Sequence, residues 1–142
     1  MKYWERFTNS KQRGEWVELQ IMAQAALRRF NVCRPWADML AYDVGIEYGE
    51  HFLRVQVKST TQRLGAGYRC QIRPKHRKAQ PYTLSHLDLF AAYVIPEDAW
   101  YLIPAAVVLQ AGRINDVILC PSSLQRRKPA TATNATASRG TC

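Results

Sequence analysis

The chain has 142 residues, of which 47% are hydrophobic and 22% are charged, a composition typical of one soluble globular domain. No apolar run reaches the ~18 residues that a membrane-spanning helix needs, and the polar amino-terminal segment lacks the apolar core of a secretory signal, so we expect a cytoplasmic protein with no membrane partner. Twenty Lys and Arg against eleven Asp and Glu give a formal net charge of +9, which favours a polyanionic partner because neutralised phosphates release counterions.

The first predicted element is a helix from about Gly14 to Phe30. Apolar residues recur in this segment at spacings of three and four, the period of an amphipathic helix, and we expect Ser10 to cap its start. Glu18 shares its helix face with apolar residues three and four positions further along. A carboxylate there is either a buried structural acid or an acid directed at a metal. Glu15 is the competing candidate, and we prefer Glu18.

The rest of the chain predicts mainly strands. A helix, then strands, then a short helix point to an α/β or α+β sheet with helices packed on it. We expect one folded domain over 1–124 and a disordered basic tail over 125–142, because the tail is poor in bulky apolar residues; without it the net charge is 16 − 11 = +5. The predicted strands are 42–48, 52–58, 68–73, 89–95, 99–103 and 117–121, and the short helix is 105–111.

The loop between the first two strands fixes how they pair. Gly49 followed by Glu50 is typical of a two-residue type II′ hairpin turn, which pairs Tyr48 with His51. Opposed residues then have numbers that sum to 99. This register brings four apolar side chains onto one face of the sheet, as core packing requires. They are Val44, Ile46, Leu53 and Val55.

The other face of the same hairpin gathers three polar side chains. Asp43 falls opposite Gln56, and Lys58 lies one step further along on the same side; opposed Cβ atoms lie about 4.5–5.5 Å apart. Carboxylate and amide oxygens are hard ligands of the kind that Mg²⁺ prefers. The Lys58 ammonium would stabilise charge on a phosphate or help to position an attacking water. The alternative is an ion pair between Asp43 and Lys58 on the solvated face of an edge strand.

A long basic segment follows this hairpin. No acidic residue occurs from His51 to Leu87, and Tyr68 and Tyr82 are interleaved with the basic residues. Such a cationic surface suits a polyanionic partner, although 75–78 is explained equally well as a solvated basic loop. Asp88 then opens an apolar strand, where we expect it to cap the strand or to pair with a nearby Arg. The basic residues that we expect to contact the polyanionic partner are Lys11, Arg13, Arg54, Arg63, Arg69, Arg73, Lys75, Arg77 and Lys78; the family resemblance described next implies that they are DNA-binding residues.

An acid on a first helix (Glu18), an acid on a strand (Asp43) and the sequence Gln56-Val57-Lys58-Ser59-Thr60 on the next strand resemble the PD-(D/E)XK nuclease superfamily. Within it the chain looks most like small intron-encoded homing endonucleases and uncharacterised bacterial proteins similar to them. The resemblance implies a restriction-endonuclease-like α/β core, a mixed central sheet flanked by helices, and hydrolysis of double-stranded DNA with Mg²⁺ or Mn²⁺. It also implies that Asp43, Gln56 and Glu18 hold the metal and that Lys58 acts at the scissile phosphate.

The chain departs from the family pattern at two positions. Tyr42 replaces the usual proline, and Gln56 replaces the second acid; the amide offers an oxygen without a charge, and Gln at this position is a trait of the homing branch. A homing-type enzyme of this size can hardly read a long site alone, so we expect a homo-oligomer, a dimer or a tetramer. A nuclease similar to Holliday-junction resolvases and a DNA-binding module with a degenerate site remain the alternatives.

Overall fold

The computed structural model describes residues 1–36, 39–74, 81–110 and 115–121. Its helices are α1 (Ser10–Leu27) and α2 (Ala105–Leu109), with 3₁₀ turns at Tyr3–Arg6 and Ile95–Glu97. Its strands are β1 (Asn31–Cys33), β2 (Val44–Tyr48), β3 (His51–Thr60), β4 (Arg63–Leu64), β5 (Gly67–Gln71), β6 (Leu89–Val94), β7 (Ala99–Pro104) and β8 (Asp116–Leu119). The predicted tail over 125–142 lies outside the described residues.

The central layer is a five-stranded sheet in the order β1-β2-β3-β6-β7. β3 and β6 are parallel, and the other neighbours are antiparallel. The predicted mixed sheet is therefore confirmed. β3 is its middle strand, and Gln56 and Lys58 on it are only 5% and 7% exposed. The alternative of a solvated edge strand is thus wrong, because β3 has a hydrogen-bonded neighbour on each side.

The two faces of this sheet are covered differently. On one face α1 packs Val17 and Ile21 against Val44, Val55 and Val57. On the other face lie the short helix α2 and a second sheet of three strands, in the order β4-β5-β8. Alternate residues of β6 therefore enter two separate cores: Ala91 and Tyr93 pack in the core under α1, and Phe90 and Ala92 in the core under the second sheet. Within the described ranges, no helix combines the length and hydropathy that crossing a bilayer requires.

Helix α1 begins and ends earlier than its apolar spacing predicts. Asn9 is the N-cap, and its side-chain oxygen accepts a hydrogen bond from the Lys11 N–H at 2.8 Å. The expectation that Ser10 caps the helix is wrong, since Ser10 is already its first helical residue. At the other end, Arg29 adopts a left-handed φ of 64°, and the chain then turns into β1 rather than continuing the helix to Phe30.

The predicted register of the β2–β3 hairpin is confirmed. Tyr48 pairs with His51, and the two apolar pairs predicted behind it form as expected. Gly49 has a φ of 59°, and the described non-glycine residues with positive φ are Arg29 and Asp98. Positive φ at the first turn position alone is the signature of a type II′ turn, so the turn fixes which residues of β3 face α1.

A clamp between Arg54 and Asp88 fixes the start of the parallel β3–β6 pair. The Asp88 carboxylate accepts hydrogen bonds from the Arg54 backbone N–H (2.8 Å), Nε (2.9 Å) and Nη2 (3.0 Å), and the Asp88 N–H donates to the Arg54 carbonyl at 2.9 Å. The next residues, Val55 and Leu89, form the first pair of the parallel ladder. The side-chain hydrogen bond from Arg54 lowers the pKa of Asp88. The expected pairing of Asp88 with a nearby Arg is confirmed.

Replacing Asp88 by Asn should destabilise the fold by about 1–2 kcal/mol at pH 7, because the amide loses a charge-assisted pair that is partly screened by solvent. An Asp whose pKa is lowered by folding stabilises the protein above its unfolded pKa, and this stabilisation disappears as the pH falls through the folded pKa. Urea unfolding should therefore show wild type and variant converging below about pH 4. Glu50→Gln, in the exposed turn, is the control, and equal stability of Asp88→Asn and wild type at pH 7 would contradict the clamp.

Candidate functional site

The predicted contact between Asp43 and Gln56 is present in the structure. Asp43 directly precedes β2, and its N–H donates to the Val55 carbonyl at 2.9 Å, which holds it against β3. Its Oδ2 accepts hydrogen bonds from Gln56 Nε2 at 2.5 Å and from the Val57 N–H at 2.9 Å. The carboxylate is therefore fixed by the backbone and by the side chain that faces it.

The donor set of this pair fits a hard divalent cation. An amide side chain exchanges its nitrogen and oxygen by rotation, and the hydrogen-bond network decides which of them faces a neighbour. Turning Gln56 would replace the donor that faces Asp43 with a second oxygen ligand, a set that suits Mg²⁺ or Mn²⁺. Within the described ranges, no group of three or more His, Cys, Asp and Glu is placed to hold a metal. A cation here would thus need the Gln56 amide oxygen beside the Asp43 carboxylate, with water or a further side chain completing its ligands.

Lys58 lies two residues beyond Gln56 on the same face of β3. Its Nζ donates to the Arg73 carbonyl at 3.2 Å and to the Tyr82 hydroxyl at 3.0 Å, and it lies 5.3 Å from the centre of the Tyr82 ring. These contacts offset the cost of burying an ammonium group. The site therefore contains a cation held in a fixed position beside the Asp43–Gln56 pair.

Tyr82 belongs to this site through its contact with Lys58, and the sequence analysis did not predict that contact. Burial raises its pKa, and the negative charge of Asp43 raises it further. The carboxylate and the phenol that binds Lys58 thus lie within electrostatic reach of each other. Its position in a basic stretch marked Tyr82 as an aromatic neighbour of cations, but nothing in the sequence pairs it with Lys58.

Glu18 is buried on α1, with 8% of its surface exposed. Its Oε2 forms an ion pair with Arg34 Nη2 at 3.1 Å. Nothing in the sequence indicated this pair, because Arg34 lies beyond the helix, just after β1. Helix α1 covers the face of β3 opposite to the one that carries Gln56 and Lys58. Participation of Glu18 in the same site stays a prediction.

The basic residues predicted to bind DNA fall into three groups. Arg54 and Arg69 are paired with acids: Arg54 with Asp88, and Arg69 with Asp116 at 2.6 Å. Lys11, Arg63 and Arg73 are exposed, and Arg13 is half-buried. DNA contact by these six residues stays a prediction. Lys75, Arg77 and Lys78 lie outside the described residues.

Comparisons with known proteins identify a family for this chain and a solved structure with a similar fold. A family model of PD-(D/E)XK endonucleases matches residues 8–137. Among solved structures, the chain is similar to the bacterial homing endonuclease I-Ssp6803I, with a TM-score of 0.70 and 24% sequence identity over 85% of this chain and 84% of that chain. At this identity the likeness concerns the fold. No curated protein matches the chain.

Replacing Tyr82 by Phe should lower the free energy of unfolding by about 0.5–1.5 kcal/mol, because the ring stays in place while Lys58 loses a hydrogen-bond partner. Since folding raises the pKa of Tyr82, its contribution is complete at neutral pH and is lost as the pH rises above about 10. The variant should therefore lose less stability than wild type at alkaline pH. Denaturant unfolding at pH 7 and pH 11 tests this, with the exposed Tyr48→Phe as control; identical pH profiles would contradict it.

Proposed function

The chain belongs to the PD-(D/E)XK endonuclease family, and on that premise we propose that it is a metal-dependent endonuclease that hydrolyses phosphodiester bonds in double-stranded DNA. The observation that carries the proposal is the contact of Asp43 with Gln56, with Lys58 two residues further along the same face of β3. The net charge of +9 supports a polyanionic substrate.

Asp43 and Gln56 would hold the Mg²⁺ or Mn²⁺ ion, and we propose Glu18 as a third ligand. When bound, the ion would polarise the scissile phosphate and lower the pKa of an attacking water. Asp43 contributes the negative charge of the set, and its hydrogen bond from the Val57 N–H keeps the carboxylate in place. Glu18 would have to share its carboxylate between the ion and Arg34, its partner at 3.1 Å.

Lys58 would act at the scissile phosphate. The Arg73 carbonyl and the Tyr82 hydroxyl hold its ammonium group from two sides, so little reorganisation is needed when charge develops on a phosphate oxygen. A donor fixed in a site that excludes water stabilises such charge much more than a mobile one. Tyr82 is a positioning residue in this proposal, since it contacts Lys58 rather than the DNA.

The proposal extends to the assembly and the substrate class. The fold is similar to that of a bacterial homing endonuclease, and a chain of this size presents a short reading surface, so we propose a homing-type enzyme that acts as a homo-oligomer, a dimer or a tetramer. We further propose that residues 1–124 form the nuclease domain and that the basic tail over 125–142 follows it. Selectivity for four-way junctions is the alternative within the same chemistry.

Wild-type protein should cleave plasmid DNA when Mg²⁺ or Mn²⁺ is present, and Lys58→Ala should lower the rate by about 10²–10³-fold, the usual cost of one fixed donor at developing charge. Gel assays on a supercoiled plasmid and on a synthetic four-way junction measure this and separate the two substrate classes. Lys2→Ala, at an exposed position, is the matched control. If the wild-type protein binds DNA but cleaves neither substrate, the proposed enzymatic activity is contradicted and a DNA-binding module with a degenerate site is favoured.

Replacing Gln56 by Glu should tighten binding of the divalent ion by roughly tenfold, because ligand charge governs the affinity of hard cations. Without metal the variant should be less stable than wild type, since two carboxylates would face each other where a hydrogen bond of 2.5 Å exists now. Added Mg²⁺ should restore its melting temperature. Calorimetric titration with Mn²⁺ and thermal unfolding give the two readouts, with the exposed Gln12→Glu as control. Equal metal affinity of Gln56→Glu and wild type would contradict a metal at this pair.

A further inference from the structure

A polar cleft lies between the first turns of α1, the end of β3 and strand β5. Its volume is about 310 Å³, near the lower limit of ligand pockets, which span ~300–1,000 Å³. Among the described residues, two guanidinium groups line it together with hydroxyl and amide side chains, and no carboxylate does. The lining residues are Arg13, Ser59, Thr60, Thr61, Gln62, Arg69 and Gln71. This set of donors selects an anion over a cation.

Arg13 is the residue that most requires an external partner. Its Nε is buried and has no hydrogen-bond partner within the described part of the chain. A buried donor without a partner costs free energy, and native structures seldom retain one unless water, an ion or a ligand satisfies it. The orphaned Nε therefore leaves one donor of a cleft-lining residue to be satisfied from outside the described part of the chain.

The backbone around the cleft is fixed by hydrogen bonds. The Thr60 hydroxyl donates to the Arg69 carbonyl at 2.5 Å and accepts from the Gln62 N–H at 3.0 Å, and the Arg69 N–H donates to the Gln62 carbonyl at 2.9 Å. These bonds tie the end of β3 to β5. The guanidinium of Arg69 is held by Asp116 at 2.6 Å, which orients it without removing all five of its donors.

We propose that this cleft binds a backbone phosphate of the DNA strand beside the scissile phosphate, with Arg13 as its main ligand. The inference rests on the proposed nuclease function and names a contact on the same substrate. The cleft begins at Ser59, directly after Lys58, and a strand rises ~3.3 Å per residue, so its lining lies about 3–10 Å along β3 from Lys58. Neighbouring phosphates of one strand are ~3.4 Å apart along the duplex axis, so about one to three nucleotides separate the bound phosphate from the reacting one.

The test measures binding of the full-length protein to a 30-base-pair duplex in EDTA, by fluorescence anisotropy between about 50 and 200 mM KCl. Loss of one phosphate contact lowers the slope of log K against log[salt] by about 0.9, which corresponds to about eightfold weaker binding at 0.1 M salt. Arg13→Gln should show both changes. Inorganic phosphate at the same ionic strength should compete with the duplex on wild type and have less effect on Arg13→Gln.

Arg28→Gln is the matched control, because it removes the same charge from the same helix. Arg28 lies ~22 Å further along the axis of α1, beyond the ~10 Å Debye length at 0.1 M salt, and outside the lining of the cleft. It should leave the slope unchanged. Equal effects of Arg13→Gln and Arg28→Gln would contradict phosphate binding in the cleft and leave the nuclease proposal intact. Failure of the wild-type protein to bind the duplex would contradict both proposals.

Stability separates binding from a structural role of Arg13. Because its Nε lacks a partner, Arg13→Gln should keep or raise the melting temperature while it weakens DNA binding. A lower melting temperature with an unchanged salt slope would overturn the proposal. Gln62→Glu is a second variant that changes only an exposed loop side chain; the carboxylate it places in the cleft should weaken duplex binding at least as much, and binding equal to wild type would count against the cleft.

Discussion

The burial of β3 on both faces is the constraint on which the rest of the structure depends. β3 is the middle strand of the five-stranded sheet, and successive side chains of a strand point to opposite faces. Val55 and Val57 therefore pack under α1, while Gln56 and Lys58 are buried on the opposite face, where Lys58 contacts the Arg73 carbonyl just beyond β5. If β3 shifted by one residue, these two sets would exchange faces, and the polar side chains would be buried against Val17, Ile21 and Val44. The hairpin turn at Gly49 and the Arg54–Asp88 clamp prevent this slip from the two sides of β3.

Burial makes the hydrogen bonds of the polar face decisive. An uncompensated buried ammonium or carboxylate costs several kcal/mol, and each group at the site has a fixed partner: Gln56 for Asp43, and Tyr82 for Lys58. Such a network holds its members in one geometry before any ligand arrives. Electrostatic stabilisation of a phosphate requires preorganisation of this kind. Burial costs stability, but it also lowers the local dielectric constant, which strengthens the electrostatic interactions of the site.

The sequence predicts local features of this fold better than contacts between distant segments. The register of β2 and β3 followed from one glycine and a period of two, because both depend on adjacent residues. The parallel pairing of β3 with β6 has no such local signal, and neither does the second sheet, whose strands β4 and β5 are separated by about 50 residues from β8. The contacts of Lys58 with Tyr82 and of Glu18 with Arg34 were missed for the same reason, since each joins segments that only the folded sheet brings together. The cap of α1 was misplaced by one residue because Asn9 and Ser10 are both suitable caps.

Gln56 raises the question of why a nuclease family member places an amide where a second acid is usual. Two carboxylates facing each other in a buried site repel unless a cation lies between them, so a two-acid site destabilises the metal-free protein. The amide removes that repulsion and donates to Asp43 instead. The fold therefore gains a hydrogen bond, and the proposed metal site would have one negative charge fewer. In the proposed metal site, Gln56 would therefore favour the metal-free protein over the metal complex. The negative charge of Asp43 would then be the more important, because the neighbouring cation Lys58 repels a divalent ion.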